Sequence, residues 1–454
     1  MTQRAAPSIR PIAPPFDPRW LVEAYPDSWP FLLYSGGSGG APSARWSIAF
    51  RQTGESICAA FSDRGSFFDQ LSEGLSAHRP SPPDVGLPFL GGWFVYLGYE
   101  MASAVEPSLH VPEPPDEMPT AFAARCECAV IYDHHLAQTW LVSETEQWAQ
   151  QAQDELAALG VADHPQMSRT RLRHCAWRPS VDSPSRFIEG VGAIQAYIRA
   201  GDVFQVNLSR QWQLSTDDCV TAVGLFDALM AANPSPFAGL AHLPGGAVIS
   251  TSPERLIEQR GDRVQTRPIA GTRPRGDGVD EDRALIEELV GNLKERAEHV
   301  MLIDLERNDL GRVCASGSVE VSELMGVESY AHVHHIVSNV TGQLIPGASS
   351  IDALRAVFPG GTITGCPKVR CMEIIAELEE VGRGAYTGAM GYIDFHQNMD
   401  MNILIRSVSL TDQGVRFRTG AGIVADSDPW AELRETEAKA KGLLAAFGVE
   451  LTNG

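Results

Sequence analysis

Positive charge is scarce in this sequence. Its 454 residues include 36 lysine and arginine residues against 57 aspartate and glutamate residues, so the formal net charge is −21. Nucleic-acid binding depends on clustered lysine and arginine, and this balance argues against nucleic acid as the main partner. The balance does not exclude an anionic small substrate, because a local pocket can oppose the field of the whole chain.

Features of exported or membrane-bound proteins are also absent. No apolar run reaches the roughly 18 residues that a membrane-spanning helix needs. Residues 1–16 are proline-rich and lack the apolar core of a signal peptide. The eight cysteines are scattered, and Cys126 and Cys128 have no second pair at a zinc-like spacing. Scattered reduced thiols fit the cytoplasm, so we expect a cytoplasmic protein without a membrane span.

Short apolar runs alternate with long helical patterns along the chain. Strands are predicted at residues 31–35, 46–50, 203–209, 248–252, 264–269, 388–395, 402–409 and 415–420, with two more within 121–143. Helices are predicted at residues 144–159, 185–200, 222–233, 280–304 and 430–447. This mixture argues for an α+β protein. The polar, proline-containing residues 161–183 predict a boundary between an N-terminal region (1–165) and a second region (180–450).

Two carboxylates and a lysine share one face of the last predicted helix. Glu432, Glu435 and Lys439 are spaced by three and four residues. The simplest interpretation is a solvated face with an ion pair. The alternative is a pair of carboxylates facing a divalent metal, with Lys439 opposing an anion. Glu298 could supply a third carboxylate, and Mg²⁺ suits such oxygen ligands because one or two carboxylates are enough for it.

Several polar groups could bind an anion. Residues 419–424 read Thr-Gly-Ala-Gly-Ile-Val and predict a small-residue turn. Its bare backbone N–H groups could cradle a carboxylate, although a tight packing turn has the same pattern. Arg406 ends an apolar strand, where an arginine is either an edge charge or a clamp for a buried carboxylate. Tyr386 could donate a hydrogen bond to the same anion.

A histidine and a glycine-rich segment are further candidates. His335 lies in an apolar strand, where a histidine is usually a satisfied core residue. It could also act as a general base or acid near neutral pH. Residues 358–365 read Phe-Pro-Gly-Gly-Thr-Ile-Thr-Gly and precede a predicted helix. Glycines beside a helix N-terminus favour an anion site.

Taken together, these segments resemble the chorismate-utilising enzymes. The resemblance is close over residues 185–447 and looser before them, and it includes Arg267-Pro-Ile-Ala-Gly-Thr-Arg-Pro-Arg275. It implies a large two-lobed α/β sandwich with antiparallel-rich sheets flanked by helices. The two halves would be interleaved into one globule, with the site in a cleft between them.

The same resemblance implies roles for individual residues. Mg²⁺ would be held by Glu298 and Glu435, with Glu432 nearby. The two carboxylates of chorismate and its ring would contact Tyr386, Arg406, Gly420, Ala421, Gly422, Lys439, Gly271 and Thr272. The candidate catalytic residues are His335 and Thr362 beside the ring, together with Glu298 and Gln205. The N-terminal region of such enzymes can bind tryptophan, and Ser35 lies near that region.

Gln205 favours amination of chorismate over hydration. The relatives that add water carry a lysine general base at the position of Gln205. A neutral amide cannot remove a proton from water, whereas ammonia is already a nucleophile. Two aminating families remain, the aminodeoxychorismate synthases and the anthranilate synthases.

The segments that resemble aminodeoxychorismate synthases outnumber the exceptions. They are residues 31–35, 205–209, 252–255 and 358–365. Ala270 departs from this pattern, because those enzymes often carry a lysine nucleophile there, whereas anthranilate synthases typically carry alanine. We therefore expect an aminodeoxychorismate synthase in which ammonia attacks the ring directly, with anthranilate synthase as the alternative. The sequence has no G-x-C-x-G nucleophile elbow, and the resemblance implies a separate glutamine amidotransferase subunit that supplies ammonia.

Overall fold

Two large antiparallel sheets form the centre of the structure. The computed structural model describes residues 7–36, 44–76, 85–160, 175–276, 278–330 and 333–450. The predicted boundary segment lies partly outside this description, since residues 161–174 do not belong to it. Within the described residues the sheets contain 12 and 10 strands, and every strand pairing is antiparallel. The prediction of an α+β sandwich with antiparallel sheets is confirmed.

The strands are distributed along the whole chain. The first twelve are β1 (Ser8–Ile12), β2 (Phe31–Tyr34), β3 (Trp46–Arg51), β4 (Ser56–Ala59), β5 (Gly92–Leu97), β6 (Ala121–Cys126), β7 (Cys128–Asp133), β8 (Gln138–Ser143), β9 (Arg178–Val181), β10 (Gln205–Ser215), β11 (Phe237–Leu243) and β12 (Gly246–Ser252). The others are β13 (Arg255–Arg260), β14 (Arg263–Thr266), β15 (Ile269–Pro274), β16 (Glu320–Ser329), β17 (Val333–Gln343), β18 (Gly365–Cys366), β19 (Ala389–Asp394), β20 (Asn398–Asn402), β21 (Ser407–Thr411) and β22 (Gly414–Ile423).

The helices lie outside the sheets. They are α1 (Arg19–Ala24), α2 (Phe67–Ser76), α3 (Ala102–Val105), α4 (Glu146–Leu159), α5 (Pro184–Ala200), α6 (Ala222–Ala232), α7 (Val279–Gly291), α8 (Leu293–Gly311), α9 (Ser350–Val357), α10 (Lys368–Glu379) and α11 (Pro429–Phe447). Short 3-10 turns lie at Arg64–Ser66, Tyr99–Met101 and Gly361–Ile363. No helix in the described residues combines the length and apolar character that crossing a membrane requires.

Each sheet takes strands from both sides of the segment 161–174. The first sheet has the order β1-β8-β7-β3-β2-β11-β12-β21-β22-β10-β18, with β9 beside β10. The second has the order β15-β17-β14-β13-β20-β19-β5-β6-β4, with β16 beside β17. The joins are the pairing of β2 with β11 and the pairing of β5 with β19.

Apolar layers hold the sheets and helices together. The inner faces of the two sheets meet directly, and Phe31 stacks on Phe94 with ring centroids 4.1 Å apart. The outer face of the first sheet packs against α1, α4, α6 and α11. The outer face of the second packs against α2, α8 and α9. The alternation of side chains along each strand supplies both faces, which explains why these strands are buried on both sides.

The helix predicted at residues 280–304 is two helices. The chain breaks at Asn292, whose side-chain oxygen accepts the backbone N–H groups of Lys294 and Glu295 at 3.0 and 3.2 Å. Asparagine is a strong N-cap, and this cap starts α8 anew after α7 ends. The continuous helical pattern of the sequence concealed the break, because a capping asparagine inside such a pattern resembles an ordinary exposed residue.

A buried carboxylate and two buried arginines join α10 to the neighbouring strands. Glu379 ends α10 and accepts Arg383 Nε and Nη2 at 3.0 and 2.7 Å, and Arg418 Nη2 at 3.0 Å. The backbone N–H and hydroxyl of Ser209 donate to the same carboxylate. Burial alone would raise the pKa of Glu379, but the two guanidinium groups outweigh it and hold the pKa below its ordinary value.

Arg383 extends this network to two further segments. Its Nη2 donates to the Asn207 carbonyl at 2.8 Å, and its Nη1 donates to the Ile363 carbonyl at 3.2 Å. Asn207 lies two residues after Gln205, and Ile363 directly follows Thr362. The buried network therefore fixes the backbone beside two candidate catalytic residues.

The substitution Arg383→Ala would leave the Glu379 charge buried with one guanidinium fewer. We expect the free energy of unfolding to fall by about 3–5 kcal/mol, as measured by urea denaturation. The matched control is Arg370→Ala, which removes an exposed guanidinium that pairs with Asp202 and Glu373 at 3.0 and 2.8 Å. The control is expected to cost less than about 1 kcal/mol. Equal losses in the two variants would contradict this account of the network.

Candidate active site

Strands β10 and β22 form one wall of the candidate site. They pair with Asn207 opposite Gly422. A Cβ atom on Gly420 would lie 2.5 Å from Asn207 Oδ1 and 2.7 Å from the Tyr386 hydroxyl oxygen. One on Gly422 would lie 2.3 Å from Gln205 Nε2. A side chain at either position would displace these groups, because the two amide side chains and the tyrosine lie directly over the strand.

The turn predicted at residues 419–424 is wrong for Gly420, Ala421 and Gly422. All three lie within strand β22. Ala421 is fully buried on the opposite face, where it joins an apolar cluster with Val206 and Leu433. The residues are small because side chains from neighbouring segments lie over this strand. A strand covered in this way has the same small-residue sequence pattern as a tight turn.

Glu298, Glu432 and Glu435 form an acidic group beside Gln205. The Gln205 side-chain Nε2 donates to Glu298 Oε1 at 2.9 Å, joining β10 to α8. Burial raises the pKa of Glu298, and the negative charge of Glu435 adds to this rise. Burial and Glu435 likewise raise the pKa of Glu432. The carboxylates of α8 and α11 therefore interact, although 137 positions separate Glu298 from Glu435 along the chain (435 minus 298).

Lys439 lies between the acidic group and the glycine strand. Its Nζ forms an ion pair with Glu435 at 2.8 Å and donates to the Gly420 carbonyl at 2.8 Å. Both side chains of the pair are about half exposed. The ion pair that the sequence predicted on this helix face is therefore present. The hydrogen bond to the Gly420 carbonyl also places the Lys439 ammonium group beside β22.

The donor atoms of this group are carboxylate oxygens, which suit Mg²⁺. Within the described ranges, no three His, Cys, Asp or Glu side chains are grouped closely enough to hold a metal ion. Glu298, Glu432 and Glu435 therefore do not form a three-ligand site in this structure. Because Mg²⁺ usually keeps several waters, two carboxylates and water would fit it.

His335 is a neutral hydrogen-bond acceptor. It pairs with Thr272 across β15 and β17, and its Nδ1 lies 3.0 Å from the Thr272 hydroxyl and 3.2 Å from the Gly271 carbonyl. A carbonyl can only accept, so we assign the proton to Nδ1 and the lone pair to Nε2. Burial lowers the pKa to about 4, and the Arg406 charge adds to this. His335 thus differs from the expectation of a group that titrates near neutral pH.

The Nε2 atom of His335 is buried and has no hydrogen-bond partner in the described part of the chain. The strand beside it contains Ala270, which is buried and offers no nucleophile. Gly271 has a positive φ of 66° at a bulge, and a Cβ there would lie 2.4 Å from Glu295 Oε2. The Gly271 position thus requires glycine for its conformation and for the close approach of α8.

Two hydrogen-bond donors in this region are uncommitted. Arg406 is half-buried, and no hydrogen bond or ion pair of its guanidinium occurs within the described residues. Burial lowers its pKa, and nearby Glu254 opposes this. Burial raises the pKa of Tyr386 to about 12, so its hydroxyl keeps its proton. Both groups can donate to an anion without breaking an existing bond.

Glu254 is a buried acid that the sequence reasoning did not single out as a site residue. It lies between β12 and β13, is 4% exposed, and its Oε1 has no partner among the described residues. Burial raises its pKa to about 8, and the charge of Glu306 adds to this. The buried Thr362 hydroxyl lies near it, again without a partner of good geometry in the described chain. The sequence signal that could have identified Glu254 is the position of an acidic residue between two apolar strands.

Helix α8 contacts each of the segments that carry the candidate site residues. Glu295 lies against Gly271, Glu298 binds Gln205, and a Cβ on Gly361 would lie 2.4 Å from Leu305. The candidate residues on β10, β15 and the Gly361–Ile363 turn are thereby brought to one helix. Asn207, whose buried Oδ1 also lacks a partner there, was missed, although its two-residue spacing from Gln205 puts it on the same strand face.

A small cavity beside Ser35 is lined by residues of both sheets. Its volume is about 50 Å³, and its lining includes Ser35, Trp46, Pro236 and Asn402. Such a volume holds a few water molecules. Tryptophan binding near Ser35 stays a prediction, and it would require the lining side chains to move.

Comparison with known proteins agrees with these observations. The family model described as chorismate binding enzyme matches residues 32–445. An anthranilate synthase component I-like protein of Synechocystis is 45% identical over 80% of this chain and 73% of its own length. Aminodeoxychorismate synthase component 1 of Bacillus subtilis is 41% identical over 79% and 77%. The crystal structure of anthranilate synthase component I from Streptococcus pneumoniae superimposes with a TM-score of 0.74 at 29% identity, covering 97% of this chain and 92% of that one. The chain belongs to the chorismate-binding enzymes.

Proposed function

We propose that this chain is the aminating component of an aminodeoxychorismate synthase. It would replace the ring hydroxyl of chorismate by the nitrogen of ammonia, retain the enolpyruvyl group and release 4-amino-4-deoxychorismate for the synthesis of para-aminobenzoate and folate. The observation that carries this proposal is the contact of Gln205 with Glu298 inside the cleft. A neutral amide at that point cannot activate water, which favours ammonia as the nucleophile.

The segment around Gln205 supports amination without loss of the enolpyruvyl group. Residues 205–209, Gln-Val-Asn-Leu-Ser, resemble the aminodeoxychorismate synthases. The Asn207 side chain of this segment lies over Gly420, and its carbonyl oxygen has no hydrogen-bond partner among the residues that the structure describes. Substrate or ammonia N–H or O–H groups would satisfy it, because a buried acceptor without a partner is costly.

Chorismate carries two carboxylates, and the cleft offers uncommitted donors for them. Arg406 and Tyr386 would bind carboxylate oxygens through charge-assisted and neutral hydrogen bonds. Lys439 adds a positive charge beside the Gly420 carbonyl. Glu298 and Glu435 would hold Mg²⁺, with Glu432 nearby. When bound, Mg²⁺ would neutralise the carboxylates around it and fix a carboxylate of the substrate.

Glu254 would donate and take back the proton of the substitution, and His335 would orient the substrate as a hydrogen-bond acceptor. The ammonia nitrogen bonds to the ring carbon as the carbon–oxygen bond breaks, and the hydroxyl leaves as water with a proton from Glu254. The new ammonium group then loses a proton to the Glu254 carboxylate, whose raised pKa makes it a stronger base than His335. His335 Nε2 would accept a hydrogen bond from the substrate. Ala270 offers no amine, so no enzyme–substrate bond is formed and ammonia attacks directly. Positioning and charge stabilisation carry the reaction.

A separate subunit would supply the ammonia. The sequence contains no G-x-C-x-G segment for a glutaminase nucleophile. Several similar relatives are named as component 1 of their enzymes, which supports a second component. We propose that this component is a glutamine amidotransferase.

Anthranilate synthase is the second candidate. Ala270 is typical of that family, and more of the similar relatives carry its name. Its reaction eliminates pyruvate after amination, and the free Nε2 of His335 could remove the ring proton. The two candidate reactions differ in their products, so identification of the product separates them.

The product of the isolated chain tests the proposal. Incubation with chorismate, ammonium and Mg²⁺ is expected to give 4-amino-4-deoxychorismate, identified by mass spectrometry, without release of pyruvate. Fluorescent anthranilate with an equal amount of pyruvate would select the second candidate. No consumption of chorismate would reject both.

The pH dependence of kcat tests Glu254. The proton donor exists below its pKa of about 8 and is lost above it, so kcat is expected to be flat below pH 8. Above that it should fall about tenfold per pH unit, with free ammonia held constant. Glu254→Gln should lose about 10²–10⁴-fold in kcat and show no such fall, while far-UV circular dichroism stays unchanged. A wild-type kcat that stays flat to pH 9.5 would exclude this role.

The titration of activity with Mg²⁺ tests the metal ligands. Glu435→Gln removes a carboxylate from the acidic group, and we expect the Mg²⁺ concentration for half-maximal activity to rise at least about tenfold. The control is Glu437→Gln on the same helix, whose carboxylate lies 3.6 Å from Arg210 instead. It should leave the titration unchanged. Identical titrations for wild type and Glu435→Gln would remove the metal assignment.

A further inference from the structure

A second buried acid lies on helix α8, and the proposed reaction does not use it. Glu306 is 5% exposed and lies on the buried face of the helix, between Ile303 and Leu310. Spacings of three and four residues put these apolar side chains on the same face as Glu306. A carboxyl group on an apolar face is costly unless its surroundings compensate it, so this position calls for an explanation.

Glu306 and Glu254 both approach the 3-10 turn at Gly361–Ile363. The Glu306 carboxyl lies beside the Gly361 N–H, and a Cβ atom on Gly361 would lie 3.4 Å from Glu306 Oε1. The Glu254 carboxyl lies beside the hydroxyl of the next residue, Thr362. The two acids therefore approach adjacent residues of the same turn.

The connection between β14 and β15 also lies beside both acids. Thr266 ends β14, and its buried hydroxyl lies beside the Glu306 carboxyl. Ile269 begins β15, and its N–H lies beside the Glu254 carboxyl. Two separate segments of the chain thus bring Glu254 and Glu306 together, and the charge of Glu306 acts on Glu254.

The lysine beside Glu306 is already engaged. Lys368 begins α10 and forms a buried ion pair with Asp309, which lies one turn after Glu306 on α8. The Lys368 ammonium also donates to the Val357 carbonyl at 3.0 Å. Because Asp309 neutralises this lysine, a second carboxylate at Glu306 adds an excess negative charge to the interior.

Burial raises the pKa of both acids, to about 7 for Glu306 and to about 8 for Glu254. Arg406 faces Glu254 from the substrate side and lowers its pKa, and Arg312 does the same for Asp309. Glu306 is the first of the two glutamates to lose its proton as the pH rises. Its charge then opposes the ionisation of Glu254, because like charges held close together in the interior disfavour each other.

We propose that Glu306 is a positioning residue that holds the proton on Glu254 until the ring hydroxyl leaves. This inference rests on the proposed function, in which Glu254 donates that proton and takes it back. Glu306 acts through its negative charge and does not touch the substrate. A merely structural role at the Gly361–Ile363 turn would need a hydrogen-bond acceptor at this place but no charge, so the two roles can be separated.

The substitution Glu306→Gln removes the charge and keeps the size of the side chain and one acceptor oxygen. With free ammonia held constant, we expect the fall of kcat at high pH to begin about one pH unit lower than in the wild type. The kcat at pH 8 should then be about fivefold below the wild-type value, whereas at pH 6 the two should agree within about twofold. Glu306→Asp restores the charge and should return the fall towards its wild-type position.

The titration of Glu254 in the free protein gives a readout that does not depend on turnover. Infrared spectroscopy detects the C=O stretch of a protonated carboxyl group, and the band of Glu254 is the one that Glu254→Gln removes. Its midpoint is expected near pH 8 in the wild type and about one pH unit lower in Glu306→Gln. The matched control is Asp304→Asn on α8, which removes an exposed carboxylate paired with Arg307 at 2.8 Å and should leave the midpoint unchanged.

Equal midpoints in the wild type and in Glu306→Gln would overturn this inference. An equal loss of kcat in Glu306→Gln at every pH, with an unshifted midpoint, would also overturn it and would leave Glu306 a structural role only. Failure of the wild type to form 4-amino-4-deoxychorismate, with the midpoints as expected, would instead count against the proposed function, because the infrared titration needs no substrate.

Discussion

The buried Glu379 carboxylate is the interaction on which the site geometry depends. It brings Arg383 and Arg418 into the interior and holds Ser209 of β10 against α10. A charge at this depth is stable only when its partners are complete, and here each oxygen has partners of good geometry. Through Arg383 the same network reaches the backbones beside Gln205 and Thr362. The buried ion pairs of Glu379 therefore fix the backbone positions of the candidate site.

The candidate site has the opposite character, because several of its buried polar atoms have no partner within the described part of the chain. Buried polar atoms are normally satisfied, and each exception calls for an explanation. Gln205 Oε1, Asn207 Oδ1, His335 Nε2 and Glu254 Oε1 are all buried and have no hydrogen-bond partner among the described residues. A substrate with two carboxylates, a hydroxyl and an incoming amine would satisfy such a set. Fixed donors and acceptors of this kind need little reorganisation during reaction.

The fold class could be predicted from the sequence because the fold class depends on local patterns. Alternating strands and long amphipathic helices are visible one segment at a time, and helices such as α4, α5 and α11 begin within two residues of their predicted positions. Errors arose where the cause was not local. The glycines of β22 lie directly under side chains from β10 and under Tyr386, and the Asn292 cap interrupts an otherwise continuous helical pattern. Glu254 acquires its raised pKa from burial, to which the sequence points only through the apolar strands on either side of it.

The shared sheets also limit how such a protein can change over time. Since β2 pairs with β11 and β5 with β19, removing either end of the chain would strip a neighbour from both sheets and leave two unpaired edges. The chain therefore cannot be divided into modules that fold independently and recombine with other partners. Diversification within this architecture must proceed by substitution in place, with the scaffold inherited whole.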